Sequence, residues 1–240
     1  MENTQIVSGK VYLIPVGLGE ENPENHLPAF NSSIISTLDE FVVENIRTAR
    51  RFLRSIGYDK NFDEVIFHVL DKHTVDIEIP GFLANVINGK SIGLLSEAGN
   101  PCIADPGNKV VKLAHEKNLR VVPLIGPSSI LLALIASGFN GQDFAFSGYL
   151  PVDRKARQQK IKELQHLAMQ KDQTQIFMET PYRNNALLSD LLLYLNENTL
   201  LCIASNITCH NENIITRTVK QWKKQTPDLH KQPSVFLISV

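Results

Sequence analysis

Short apolar runs that alternate with helices, several of them ending in turns of glycine or proline, constrain this chain more than any other feature. The middle shows the pattern best. Ser91-Ile-Gly-Leu-Leu95 reads as a strand, and Ser96-Glu-Ala-Gly-Asn-Pro-Cys-Ile-Ala-Asp-Pro-Gly107 as a loop dense in glycine and proline. Residues 110–118 follow as an amphipathic helix, residues 120–124 as a strand, and residues 127–137 as an apolar helix that opens on Ser128 and Ser129. Parallel neighbours are reached only by a crossover, so strands and helices at this pitch require a mostly parallel α/β sheet. The earlier residues agree. Val11-Tyr-Leu-Ile-Pro-Val16 reads as a first buried strand stopped by Pro15 and Gly17; Ile34, Ile35, Leu38, Phe41 and Val42 fall at helical spacing, and Val42-Val43 begins a second short strand. Residues 46–56 read as a helix stopped by Gly57, residues 65–69 as a strand, and residues 79–88 as a helix that Gly89 ends.

Beyond residue 138 the pattern changes. Strands are expected at Phe144-Ala-Phe-Ser-Gly-Tyr149, Gln175-Ile-Phe-Met178, residues 200–204, 214 onward and 234–240, with helices at 154–169 and 184–195. That spacing predicts a mixed sheet with some antiparallel pairing. The expected architecture is therefore two unlike α/β domains, residues 1–124 mostly parallel and residues 125–240 mixed. Up to residue 124 there are 12 basic and 16 acidic residues, and after it 12 and 9, which places an anionic partner nearer the second half.

With 24 basic and 25 acidic side chains the net charge is -1, which excludes affinity from bulk positive charge. No run of about 18 apolar residues exists to span a membrane. Residues 1–10 are polar, without an apolar signal core, and residues 20–26 form an acidic stretch without period. Three unpaired cysteines, Cys102, Cys202 and Cys209, fit a reducing compartment, so a cytoplasmic location is expected. Cys209-His210 has no second cluster to complete four zinc ligands, and no metal is expected. Gly17-Leu-Gly19 lacks the third glycine of a dinucleotide fingerprint and reads more simply as a strand-to-helix turn. Four loops remain, each at the carboxyl end of a predicted strand: Pro15-Val-Gly17, residues 97–107, Gly126-Pro-Ser-Ser129 and Glu179-Thr-Pro-Tyr-Arg183. Ligands of α/β folds gather at such ends.

Leu94-Leu-Ser-Glu-Ala-Gly-Asn-Pro-Cys-Ile-Ala-Asp-Pro-Gly107, followed by Arg120-Val-Val-Pro-Leu-Ile-Gly-Pro-Ser-Ser129, resembles the tetrapyrrole methylase superfamily. Within it the likeness is to the branch that 2'-O-methylates a cytidine of small-subunit (16S) ribosomal RNA, and it extends to Gly148-Tyr-Leu-Pro151 and Phe177-Met-Glu-Thr-Pro-Tyr-Arg183. The resemblance implies a homodimer of two-domain chains with S-adenosylmethionine in the cleft between the domains. It would put Pro15 beside that cofactor, Ala98, Gly99, Asn100, Pro101 and Ile103 along its methionine side, Ser128 and Ser129 at its polar end, and Met178 and Ala204 at the adenosine. The chain departs from the family where Glu-Asp-Thr-Arg becomes Glu44-Asn-Ile-Arg47, and where Ala-Arg-Glu-Leu-Thr-Lys becomes Ala204-Ser-Asn-Ile-Thr-Cys209.

A ribose hydroxyl becomes a competent nucleophile when a carboxylate draws its proton away, and Glu97 and Glu44 are the candidates in the cleft loops. RNA also needs local cations. Arg47, Arg50, Arg51 and Arg54 share one helical face; Arg154, Lys155, Arg157, Lys160 and Lys162 form a second basic segment. Of these, Arg47, Arg51, Arg154, Lys155 and Arg157 are the expected RNA contacts. Glu179 and Arg183, four apart, are expected to pair. Three readings stand open: an rRNA methyltransferase, a methylase of the same fold acting on a tetrapyrrole or other small molecule, and a non-catalytic cofactor-binding paralogue.

Overall fold

The computed structural model describes residues 9–19, 22–71 and 73–240. Residues 1–8 of the polar N-terminal stretch, and Glu20 and Glu21 of the acidic stretch, lie outside the described residues. The chain divides into two compact units, Met1–Pro127 and Ser128–Val240.

In the first unit β1 (Lys10–Ile14), β2 (Glu40–Val43), β3 (Ile66–Val69), β4 (Ile92–Leu95) and β5 (Arg120–Pro123) form an all-parallel sheet in the order β3-β2-β4-β1-β5. Period-two alternation sends neighbouring side chains to opposite faces. Val11, Val42, Ile92 and Leu94 pack on one face with α3 (Ile79–Phe82), α4 (Ala84–Ile87) and α5 (Asn108–Glu116). Ile14, Phe41, Val43 and Leu95 pack on the other with α1 (Ala29–Ile35) and α2 (Ile46–Ser55). β4 is buried along its whole length. Gly93 in its centre lets flanking side chains meet: a Cβ there would stand 2.6 Å from Ile14 and 2.7 Å from Phe41. An alanine would overpack this layer at a cost of roughly 1–3 kcal/mol. The single helix expected over residues 79–88 is instead two turns. Leu83 leaves helical geometry at φ -100°, ψ 3°, its N–H turned back to Pro80 and Gly81, and Gly89 at φ +97° ends the second turn.

The second unit holds α6 (Ser129–Ser137), β6 (Phe144–Tyr149), α7 (Arg154–Lys171), β7 (Thr174–Met178), α8 (Asn184–Tyr194), β8 (Leu200–Ser205), β9 (Asn213–Thr218), α9 (Val219–Lys224) and β10 (Ser234–Ser239). Its sheet runs β6-β7-β10-β8-β9; β6 and β7 are parallel and the remaining pairs antiparallel. The mixed pairing expected from the sequence is therefore present. Phe177 and Phe236 stack across β7 and β10 with centroids 6.1 Å apart, and Trp222 of α9 is buried with its Nε1–H donating to the Leu201 carbonyl at 2.8 Å. That bond lets the indole enter the core without an orphaned donor.

Candidate active site

The carboxyl edge of the parallel sheet gathers Pro15 after β1, Glu44 after β2 and Glu97 after β4. Two backbone bonds tie the β4 loop to the β1 turn: Val16 N–H donates to Gly99 O at 2.9 Å, and Gly99 N–H to Val16 O at 3.1 Å. The Ser96 hydroxyl adds a bond to Gly99 O at 3.2 Å. Gly99 sits at φ +69°, where a β-branched side chain is strained, and its Cβ would also press on Leu18 at 3.2 Å. Gly126 is needed for a different reason, since a Cβ there would lie 2.2 Å from that of Pro15. Further along, Cys102 (φ 73°) and Ala104 (φ 61°) both hold the left-handed conformation without being glycine. Each costs on the order of 1–2 kcal/mol. Asp105 offsets that strain, its carboxylate accepting from Cys102 N–H at 2.8 and 3.0 Å and from Gly107 N–H at 2.7 Å. The loop is thus braced in one shape, with Pro101 buried, Asn100 half-buried, and Ala98 and Ile103 exposed.

The two candidate carboxylates stand together. Glu44 Oε1 accepts from the Glu97 N–H at 3.3 Å, and Glu97 Oε1 accepts from the Thr48 hydroxyl at 2.6 Å. Burial pushes the Glu44 carboxyl above its ordinary 4.5; the Glu97 N–H opposes the rise, while the charges of Asp105 and Glu97 add to it. Burial likewise raises Asp105, against the pull of its two N–H donors. The Cys102 thiol is pushed up to about 11 by burial and by Asp105. Glu44 and Asp105 both line a small pocket walled by Val42, Val43, Leu70 and Gly107. The departure at Asn45 has a local explanation: its side chain caps α2, accepting from Arg47 N–H at 2.8 Å and Thr48 N–H at 3.4 Å, as an aspartate would.

In the second unit Met178 and Ala204 flank Val235 of β10 from opposite sides. β7 and β8 are both antiparallel to β10, so their carboxyl ends reach the same sheet edge, two strand spacings or about 9–10 Å apart. Met178 is half-buried and Ala204 buried. Ser205 pairs with Ser234, hydroxyl to hydroxyl, at 2.8 Å, and Asn206 at φ +52° donates to Gln232 Oε1 at 3.1 Å, so this departure closes the β8 end locally. Ser128 caps α6, accepting from Leu131 N–H at 3.4 Å and keeping its own O–H to donate, and Ser129 opens the helix.

The basic residues separate into two kinds. Arg47 and Arg51 are exposed and carry no ion pair among the described residues, whereas Arg50 and Arg54 lie over Phe62, at 5.2 and 4.1 Å from its centroid. Arg154 and Lys155 are exposed. Arg157 is not a surface cation, and contrary to the expectation from its sequence it does not face RNA as one. It is buried, its Nε and Nη2 grip Asp190 Oδ2 at 2.8 and 2.6 Å, and its Nη1 donates to the carbonyls of Pro151 and Val152. Glu179 and Arg183 form the expected pair at 2.6 Å. Sequence reasoning left Thr48 and Asp105 out of the site. The Asp-Pro-Gly turn carried a signal for Asp105, but nothing in the sequence places Thr48 beside Glu97, 49 residues on.

Among the described residues no group of histidine, cysteine, aspartate and glutamate could hold a metal ion, and no helix is long and apolar enough to cross a membrane. A structural likeness covers 97% of this chain and 94% of the methyltransferase CobJ, with a TM-score of 0.65 at 18% identity, which speaks to fold alone. A Haemophilus influenzae protein named ribosomal RNA small subunit methyltransferase I is 29% identical over 97% of this chain and 79% of its own length. A Synechocystis protein of the same name is 30% identical over 88% of this chain and 72% of its own. The family model for tetrapyrrole (corrin/porphyrin) methylases matches residues 10–222, taking in both sheet edges and every candidate residue above. With nearly nine-tenths of its length inside that match, the chain belongs to the tetrapyrrole methylase family.

Proposed function

We propose that this protein is an S-adenosylmethionine-dependent methyltransferase that 2'-O-methylates a cytidine of small-subunit (16S) ribosomal RNA, acting in the cytoplasm. Relatives bearing the small-subunit rRNA methyltransferase name support the substrate class. The observation that carries the chemistry is the contact of Glu44 with Glu97 on a braced loop at the carboxyl edge of the parallel sheet.

The residues fit S-adenosylmethionine. Side chains at Ala98, Gly99 and Ala204 end at or before Cβ and leave room beside the main chain. Ile103, 46% exposed, and Met178 offer apolar surface, Ser128 a hydroxyl, and three carboxylates complement a sulfonium charge. Pro15, Ala98, Gly99, Asn100, Pro101 and Ile103 would hold the methionine part, Ser128 and Ser129 its polar end, and Met178 and Ala204 the adenosine. When bound, the cofactor supplies an electrophilic methyl group. Glu44 then acts as general base through Oε2, the oxygen that the Glu97 N–H does not engage. Thr48 fixes the Glu97 carboxylate, which favours the positive charge beside it. Arg47, Arg51, Arg154 and Lys155 bind phosphates.

We also propose a homodimer. Leu131 and Ile135, one turn apart on α6, are exposed while Ala133 and Leu134 of the same helix are buried, leaving an apolar edge for a second copy. Sedimentation at micromolar concentration should give twice the 26.9 kDa chain mass, and a single-chain species would refute it. The activity is tested by mapping 2'-O-methylation on small-subunit rRNA from cells with and without the gene. One cytidine should lose its methyl group; an unchanged map would overturn the assignment.

A further inference from the structure

Tyr182 is 72% exposed, among the most exposed large apolar side chains of the chain, yet the backbone beneath it is firmly held. Glu179, buried at the end of β7, accepts from Thr180 N–H and from Arg183 Nη2, both at 2.6 Å, and Arg183 N–H returns to Thr180 O at 2.9 Å. A second loop, residues 228–232, is fastened against this one. Lys231 N–H donates to Pro181 O at 3.1 Å, the buried Asn184 amide to Gln232 O at 2.6 Å, and Leu229 N–H to Asn185 Oδ1 at 2.8 Å. Lys231 takes φ +59° to make that crossing, a conformation a lysine holds only when its surroundings fix it. The result sets the Tyr182 ring edge-on to His230 with centroids 6.2 Å apart, while most of the phenol stays in solvent.

Two cations and two carboxylates stand near the rings, and Lys231 is the cation without an acidic partner among the described residues. Arg183 is half-exposed at the ion pair with Glu179, and Lys231 is exposed. The one exposed carboxylate of the second loop, Asp228, accepts from Asn185 Nδ2 at 2.7 Å and from His230 N–H at 2.9 Å, so its charge is partly satisfied within the loop. An exposed ring on a firmly held loop, with the unpaired cation of Lys231 beside it, matches how proteins take up unpaired bases: the π-face stacks and a cation meets the flanking phosphate. The ring lies four residues beyond Met178, at the carboxyl edge of β7.

We propose that Tyr182 and His230 form a stacking platform for an unpaired nucleobase of the RNA substrate. The proposal rests on the rRNA reading above and adds a single-stranded contact to its phosphate contacts. Tyr182→Ala, Tyr182→Phe and His230→Ala would each be compared with the intact protein. The probes are a single-stranded oligoribonucleotide of mixed sequence, the same oligonucleotide as a duplex, and S-adenosylmethionine. Tyr182→Ala should weaken single-strand binding roughly five- to a hundredfold and raise KM for small ribosomal subunits. Tyr182→Phe should bind as the intact protein does, since it keeps the ring. Duplex binding, S-adenosylmethionine affinity and Tm should not move, because the side chain is exposed and paired bases are already stacked. Equal single-strand binding by Tyr182→Ala and the intact protein would overturn the platform while leaving the rRNA reading intact. A matching loss of S-adenosylmethionine affinity would overturn it in favour of a cofactor contact. Failure of the intact protein to bind RNA at all would remove the rRNA reading itself, and the platform with it.

Discussion

Burial beside Asp105 and Glu97 keeps the Glu44 carboxyl above its ordinary 4.5, so once ionised it accepts a proton more readily than a free glutamate. Two consequences follow with opposite signs. With Glu44 as the base proposed above, methyl transfer needs its ionised form, so the rate should fall as pH drops through the raised value. Glu44→Gln, which keeps an oxygen for the Glu97 N–H, should lower kcat by roughly 10²- to 10⁴-fold and abolish that acid limb. Stability moves the other way. Between 4.5 and the raised folded value the native state binds more protons than the unfolded chain, so stability declines as pH rises through that window and stays lower above it. The glutamine variant, lacking this decline, should melt at or above the temperature of the intact protein at pH 7–8. Methylation rates and Tm measured across pH check both together. A variant that loses activity and Tm in parallel would mean Glu44 only holds the loop. Here the sequence was legible as far as residue type and loop: it offered Glu44 and Glu97 each as a candidate base. It did not offer Thr48, because that contact depends on strand order, which places β2, and with it the start of α2, directly beside β4.

At the level of elements, α7 shows why a basic run cannot be read as surface from its charge alone. The helix buries Arg157, Ile161, Leu164 and Ala168, a spacing of four, three and four that marks one face. Arg157 begins that buried stripe, and the periodicity was visible in the sequence; its partner Asp190, 33 residues away on α8, was not. Arg154 and Lys155 fall off the stripe and are exposed. Truncating Arg157→Ala would leave Asp190, whose side chain is 6% exposed, with only the longer 3.4 Å contact from Arg154. Removing one partner of a buried pair typically costs about 3–5 kcal/mol, against about 0–1 kcal/mol for an exposed pair. Arg157→Ala should therefore lower Tm by many degrees, while Lys155→Ala leaves it unchanged; equal melting of the two by calorimetry would show the clamp to be idle. The strands bounded by glycine or proline, β1 and β6, were the most legible; β2 was not, because Phe41 and Val42 also fit the helical spacing that begins at Ile34, and the strand ends at Val43 instead of starting at Val42. The helix over residues 79–88 was not legible either, because its apolar spacing continues across Leu83 although the backbone does not.

For the molecule as a whole, a net charge of -1 and a polyanionic substrate are compatible only if positive charge is gathered locally. The division of the chain provides that: residues 1–124 carry 12 basic and 16 acidic side chains, and residues 125–240 carry 12 and 9. The unit boundary after Pro127 moves no charge between the two counts, because residues 125–127 are Ile, Gly and Pro. Arg154 and Lys155 are the exposed cations at the start of α7, just past the Leu150-Pro151 turn. Replacing both by glutamate reverses four units of charge and gives up the 3.4 Å contact of Arg154 with Asp190, but it keeps the closer Arg157 clamp, so the fold should survive a substitution that a third change at Arg157 would undermine. RNA affinity should fall on the order of tenfold or more at moderate salt. The dependence of log affinity on log salt should flatten by roughly 0.7–0.9 for each phosphate that the variant no longer neutralises, since fewer counterions are released. S-adenosylmethionine affinity should not change, because neither residue lies at the β4 loop or at the Met178 and Ala204 strand ends. Titrations of small ribosomal subunits at several salt concentrations read the affinity and the slope, and a separate S-adenosylmethionine titration reads the cofactor. If the double variant kept both its affinity and its salt slope, phosphate binding would have to come from Arg47 and Arg51 on α2, and the same pair of substitutions there would become the deciding measurement.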